Sequence, residues 1–105
     1  MDYSKITNAT VAAAVQAWQK GDSITFLTYF AEEPQMTDDG NPRNFYGFVE
    51  SACGKEIFLS IDEVENNGTA IIGNFKAGQW GTFSVFFKFG QNAEGKFDRL
   101  DIGQV

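Results

Sequence analysis

Phe30-Ala31-Glu32-Glu33-Pro34-Gln35-Met36-Thr37-Asp38-Asp39-Gly40 lies between two helical patterns and ahead of a half rich in strand formers. Its acids fall at a junction where a cone-shaped α+β domain can set one carboxylate in the wall of an apolar pocket. A carboxylate desolvated in that way is a candidate proton-transfer group. The same stretch also reads as an exposed acidic loop, in which Pro34 stops the preceding helix and the acids face water.

Upstream of it, Val11, Ala14, Val15 and Trp18 recur at helical spacing on an alanine-rich segment that ends at Gly21. The spacing predicts a first helix from about Thr7 to Lys20, closed by a left-handed glycine cap. Asp22 or Ser23 can cap a short second helix with Phe26, Leu27 and Phe30 on its apolar side. Downstream, Asn41-Pro42 reads as an N-cap with proline at the first helical position. Phe45, Phe48, Val49 and Ala52 then share one face of a third helix before Gly54.

After Lys55 the pattern changes to strands: Glu56 to Glu65, Thr69 to Lys76, Trp80 to Phe89 and Lys96 to Gln104. Turn signals separate them at Asn66-Asn67-Gly68, at Ala77-Gly78-Gln79 and around Gly90 and Gly95. The reading is one α+β domain over residues 1 to 105, with three N-terminal helices packed on a curved antiparallel meander. Side chains alternate along a strand, so Phe83, Val85, Phe87 and Phe89 form one apolar stripe facing the helices. Trp80, Thr82, Ser84, Phe86 and Lys88 fall on the other face. That mixture suits burial against a second copy, with Trp80, Ser84 and Phe86 as the expected homodimer contacts.

Composition narrows the function classes. The 105 residues carry a net charge of −6, no histidine and one cysteine, and 11 of them are phenylalanine. With no basic cluster, the electrostatic attraction that dominates nucleic-acid binding is absent, so neither nucleic acid nor an anionic membrane is an expected partner. Cys53 alone, with no apolar run of bilayer length, points to a soluble cytoplasmic protein. Zinc and iron sites lack their ligands, Asp38-Asp39-Gly40-Asn41 is too short for a helix-loop-helix calcium loop, and no glycine-rich phosphate cradle follows a strand. No metal or cofactor is expected.

Three helices followed by a curved meander, with Gly21-Asp22, Phe30-Ala31-Glu32-Glu33, Asp38 and the closing Gly95-Lys96-Phe97-Asp98-Arg99-Leu100-Asp101 in that order, resembles the NTF2-like superfamily, also described as SnoaL-like or cystatin-like α+β barrels. The likeness covers nearly the whole chain and implies a cone-shaped fold that hosts isomerases, cyclases, dehydratases, hydrolases and non-catalytic binders. Compared with ketosteroid-isomerase-like members, it implies that their general base falls on Asp38. The same comparison puts their two oxyanion-stabilising groups at Ala14 and Val85, whose side chains donate no hydrogen bond. A base without that stabilisation lacks a large part of such a rate enhancement. Dehydratase-like members rely on histidine, which is missing here. Of the Asp-Arg-Asp set of epoxide-hydrolase-like members, only Arg99 and Asp101 are identifiable, and they point outward if Leu100 and Ile102 point inward.

Two functions follow as expectations. In the first, a homodimer binds a small apolar or weakly polar molecule in the cone, against Phe26, Phe45, Phe83, Val85 and Phe87, without turning it over. In the second, an isomerase- or cyclase-type enzyme uses Asp38 as proton shuttle and Tyr29 or Tyr46 to polarise the substrate. Cys53, with no histidine to activate it, reads as structural.

Overall fold

The computed structural model describes all 105 residues. After a short turn at Tyr3–Lys5, helix α1 spans Ala9–Lys20. The Asn8 side-chain oxygen accepts from the backbone N–H groups of Thr10 and Val11, which starts the helix two residues later than the apolar spacing suggests. Gly21, at φ 75°, closes it in the left-handed conformation. Helix α2 spans Ser23–Thr28, with Asp22 as its cap.

Phe30 is not on α2. It opens strand β1, Phe30–Asp38, so the acidic stretch is an extended strand rather than a loop. Pro34 is tolerated because the pairing register with strand β7 (Phe97–Gln104) shifts between Phe30 and Gln35, so the proline falls in an irregular stretch of the strand. At the far end, Asp39 and Gly40 both have positive φ, 50° and 83°. They form the two-residue turn that matches strand twist. Asn41–Pro42, expected to start the third helix, instead forms strand β2 and pairs back on Thr37 and Asp38. Helix α3, Phe45–Ala52, begins later with Asn44 as its cap and buries Phe45, Phe48, Val49 and Ala52.

The expected strand from Glu56 to Glu65 is two short strands, β3 (Ile57–Phe58) and β4 (Glu63–Glu65), both paired to the same edge of β5 (Ala70–Lys76). Strand β6 runs Thr82–Gln91. The sheet order is β2-β1-β7-β6-β5-β3. Strands β3 to β7 form the antiparallel meander, while β1 joins the other side of β7 in parallel, so the sheet is mixed and open. Strand β2 covers only the last two residues of β1, which leaves most of that strand as a sheet edge carrying Glu32, Glu33 and Pro34.

Apolar burial is concentrated between the helices and the inner sheet face. Trp18 is wholly buried; its ring centroid lies 5.0 Å from Phe48, 5.2 Å from Phe26 and 5.9 Å from Phe87. Phe58 and Phe75 pack on Phe87 from β3 and β5, and Phe30, Phe89 and Phe97 extend the cluster toward β1. Such ring pairs add specific geometry to the burial of large areas. The narrow end of the cone is thereby filled, and the wide end is left open. No helix is long and apolar enough to cross a membrane.

Candidate functional site

The wide end holds a cavity of about 310 Å³. The β1–β2 hairpin contributes Asp38, Asp39 and Arg43; α3 contributes Phe48; the β5–β6 hairpin contributes Phe75, Ala77, Trp80, Phe83 and Val85. Ile102, Gly103 and Gln104 of β7 and Glu56, just before β3, complete the wall. The size lies at the lower end of small-molecule sites, roughly 300–1,000 Å³.

Strand alternation explains the placement of Asp38. Parallel pairing sets Met36 beside Leu100 and Asp38 beside Ile102. Met36, Leu100 and Ile102 are buried, so Asp38 points to the same inner face, at the end where the cone opens. Its Oδ2 accepts from Nη1 of Arg43 at 2.6 Å, and the side chains of Asp38 and Arg43 are 35% and 41% exposed. The guanidinium also lies 4.8 Å from the centre of the Phe48 ring. Asp38 is therefore a partnered carboxylate at a pocket mouth, not a desolvated one. Asp39 is committed differently: its Oδ1 accepts from the backbone N–H of Gln104 at 2.8 Å and ties the hairpin to the end of β7.

The residues named from sequence divide between locations. Asp38, Phe83 and Val85 border this cavity. Phe26 and Phe87 do not: with relative exposures of 0% and 1%, they are locked in the aromatic cluster that fills the narrow end. Phe45 is buried there too and borders only a second, open groove of about 610 Å³ along β1 and the start of α3. Tyr46 lines that groove, 47% exposed, with its hydroxyl donating to the carbonyl of Glu32. Tyr29 caps α2 and packs against the core, bordering neither cavity. Asp38, Tyr29 and Tyr46 are thus not brought to one point.

Trp80 is not on the outer sheet face with Ser84 and Phe86. It ends a short helical turn, Gly78–Trp80, and Gly81, at φ 94°, breaks the alternation before β6 begins. Its ring stands 73% exposed at the cavity rim. Ser84 and Phe86 do face outward. Phe86 covers Gly103, where an added Cβ would meet the ring at 2.7 Å, and Lys88 Nζ sits 4.9 Å from its centre.

Arg99 and Asp101 also lie on that outer face. Asp101 accepts from Arg99 Nε at 2.7 Å and from Thr37 at 2.5 Å, while Arg99 donates to Gln35 at 3.1 Å. Partial burial pushes the Asp101 carboxyl up, but the hydrogen bonds from Arg99 and Thr37 and the nearby positive charges outweigh it and hold it below the ordinary carboxylate range. Burial first, and the Asp22 carboxylate second, push the Cys53 thiol up, which suits a packing residue. No three acidic or cysteine side chains converge as a metal-ligating group.

Arg43, Glu56 and the rim position of Trp80 were not singled out as site features by sequence. The signal for Arg43 was present: Asp39-Gly40 is a strong two-residue hairpin signature, and a hairpin there folds Arg43 back beside Asp38.

No family model matches the sequence, and no curated protein matches it. Solved structures do share its fold. Against the Anabaena (Nostoc) Orange Carotenoid Protein binding canthaxanthin, the TM-score is 0.73 at 17% identity, over 95% of this chain and 36% of that one. The chain thus spans about a third of that protein. An NTF2-like protein of unknown function from Cytophaga hutchinsonii gives 0.74 at 10% identity, over 91% and 87% of the two chains. A candidate SnoaL-like polyketide cyclase from Shewanella putrefaciens gives 0.68 at 14% identity, over 89% and 75%. The chain has the NTF2-like, cystatin-like α+β fold.

Proposed function

We propose that this NTF2-like domain binds a small, largely apolar molecule in the wide end of its cone and does not transform it. The observation that carries the reading is the 310 Å³ cavity walled by Phe48, Phe75, Phe83, Val85 and Ile102. An apolar cavity of about 150 Å³ holds benzene, so a body of about two fused rings fits this one. The fold lends support by analogy, since the Orange Carotenoid Protein binds the carotenoid canthaxanthin. Binding is favoured over proton transfer because Asp38 is paired with Arg43 and both tyrosines lie away from the cavity. The positions that the resemblance assigns to oxyanion stabilisation, Ala14 and Val85, also offer no side-chain donor.

Titration with 2-naphthylmethanol, followed by amide and methyl NMR shifts, tests the reading. Shifts should concentrate on Val85, Ile102 and the Trp80 indole, and Val85→Trp, which fills the cavity, should abolish them. Saturable shifts confined to the groove along β1, or none at millimolar probe, would overturn it.

We further propose that two copies pair through the outer sheet face around Ser84 and Phe86. Ile72 neighbours Phe86 across the β5–β6 pair, and Lys76 and Lys88 share the face with Asp101, so both charge signs are available for a self-complementary contact. Sedimentation should give a dimer for the wild type and a monomer for Phe86→Glu. A wild type that stays monomeric at about 100 μM, far above a micromolar dissociation constant, would refute the pairing while leaving the ligand reading intact.

A further inference from the structure

The geometry points to an organic cation as the occupant: a flat, two-ring amine whose ring lies in the aromatic wall and whose ammonium pairs with Glu56. This rests on the reading of the cavity as a small-molecule site and adds the sign of the ligand's charge.

Glu56 is half-buried in the cavity wall. Its backbone is fully engaged, with the N–H donating to Ala52 and the carbonyl accepting from the Trp18 indole at 2.7 Å. Its carboxylate, by contrast, takes part in no hydrogen bond within the chain, and the two salt bridges of the molecule join Arg43 to Asp38 and Arg99 to Asp101. The carboxylate end comes within 4.0 Å of where a Cβ would stand on Gly78, in the turn that carries Trp80. A half-buried carboxylate without a partner, in a cavity also lined by the exposed Trp80 indole and by Phe75 and Phe83, is suited to an ammonium group. The charge pairs with the carboxylate while the adjacent carbon framework and the cation itself are attracted to the ring faces.

The remaining charges agree in sign. The carboxylates of Asp38 and Glu56 stand at the cavity against the single guanidinium of Arg43, which Asp38 already holds at 2.6 Å, while the Asp39 carboxylate is tied to the backbone of Gln104. An anionic ligand would have to displace Asp38 and approach the unpaired carboxylate of Glu56. The whole chain, at −6, adds an attractive field for a cation.

Three probes sharing a naphthalene body test the inference by calorimetric titration: 2-naphthylmethylammonium, neutral 2-naphthylmethanol and anionic 2-naphthoate. In about 0.01 M salt the cation should bind about tenfold more tightly than the alcohol, with the naphthoate weakest. The preference should fall to about threefold in about 0.15 M salt as the field is screened. Glu56→Gln should bring the cation-to-alcohol ratio close to one. If the alcohol binds as tightly as the cation to the wild type, the charge assignment is overturned and the apolar site survives. If none of the three binds, both readings fall. A tenfold preference that persists in Glu56→Gln removes Glu56 as the partner.

Discussion

The Trp18 indole sits within the aromatic cluster and donates its N–H to the Glu56 carbonyl at 2.7 Å, so one side chain joins α1 to the segment that leads into β3. Trp18→Phe keeps most of the stacking but leaves that carbonyl without its donor and opens a small void. It should cost about 2–3 kcal/mol in urea unfolding. Trp80→Phe, changing an exposed rim ring, should stay within about 0.5 kcal/mol. Cys53, whose thiol is pushed up by burial and by Asp22, should react with iodoacetamide at neutral pH more slowly than a free cysteine; equal rates would contradict its packed position. At this scale Asp38 stands at the cavity rim, and its partner Arg43 was not named from the sequence. Arg43 reaches it only because the two-residue turn at Asp39-Gly40 reverses the chain, a signal carried by the turn residues and not by alternation along a single strand.

Helices were legible as elements because caps and apolar spacing are local: α1 and α3 bury the faces their patterns announced, with ends displaced by two or three residues where Asn8 and Asn44 supply the caps. Strand β1 was not legible. Pro34 and adjacent acids argue against a strand, and only the shifted pairing with β7 makes them acceptable. The hairpin after it rests on Gly40, whose φ of 83° favours glycine although nothing crowds the position. Gly40→Ala should therefore destabilise by about 1 kcal/mol through backbone strain alone. Gly103→Ala is a different case, because its methyl would strike both the Phe86 ring and Asp39 Oδ1. It should cost about 1–3 kcal/mol and loosen the tie between the hairpin and β7, seen as faster amide exchange at Gln104. On the outer face, Asp101 has a lowered folded pKa, so its contribution is present above the unfolded value of about 3.9 and is lost as pH falls through the lower folded one. Asp101→Asn should flatten the acid side of the stability profile below about pH 4 and leave its shape at neutral pH unchanged.

For the molecule as a whole, the division between a filled narrow end and an open wide end decides what the cone can hold, and composition alone did not reveal it. Eleven phenylalanines are compatible with a lined cavity or a packed core, and here they serve both, with Phe26 and Phe87 in the core and Phe83 at the cavity. The open sheet has a further consequence at β1. Most of its outer edge lacks a neighbouring strand, and such an edge can template the addition of foreign strands without limit. Two glutamates and a proline occupy that edge, and the Tyr46 hydroxyl takes up the carbonyl of Glu32. The stretch that carries this fold's most conspicuous acids is thus also a guard against fibre growth. Replacing Glu32, Glu33 and Pro34 together with threonine and valine should raise thioflavin-positive aggregation above that of the parent chain.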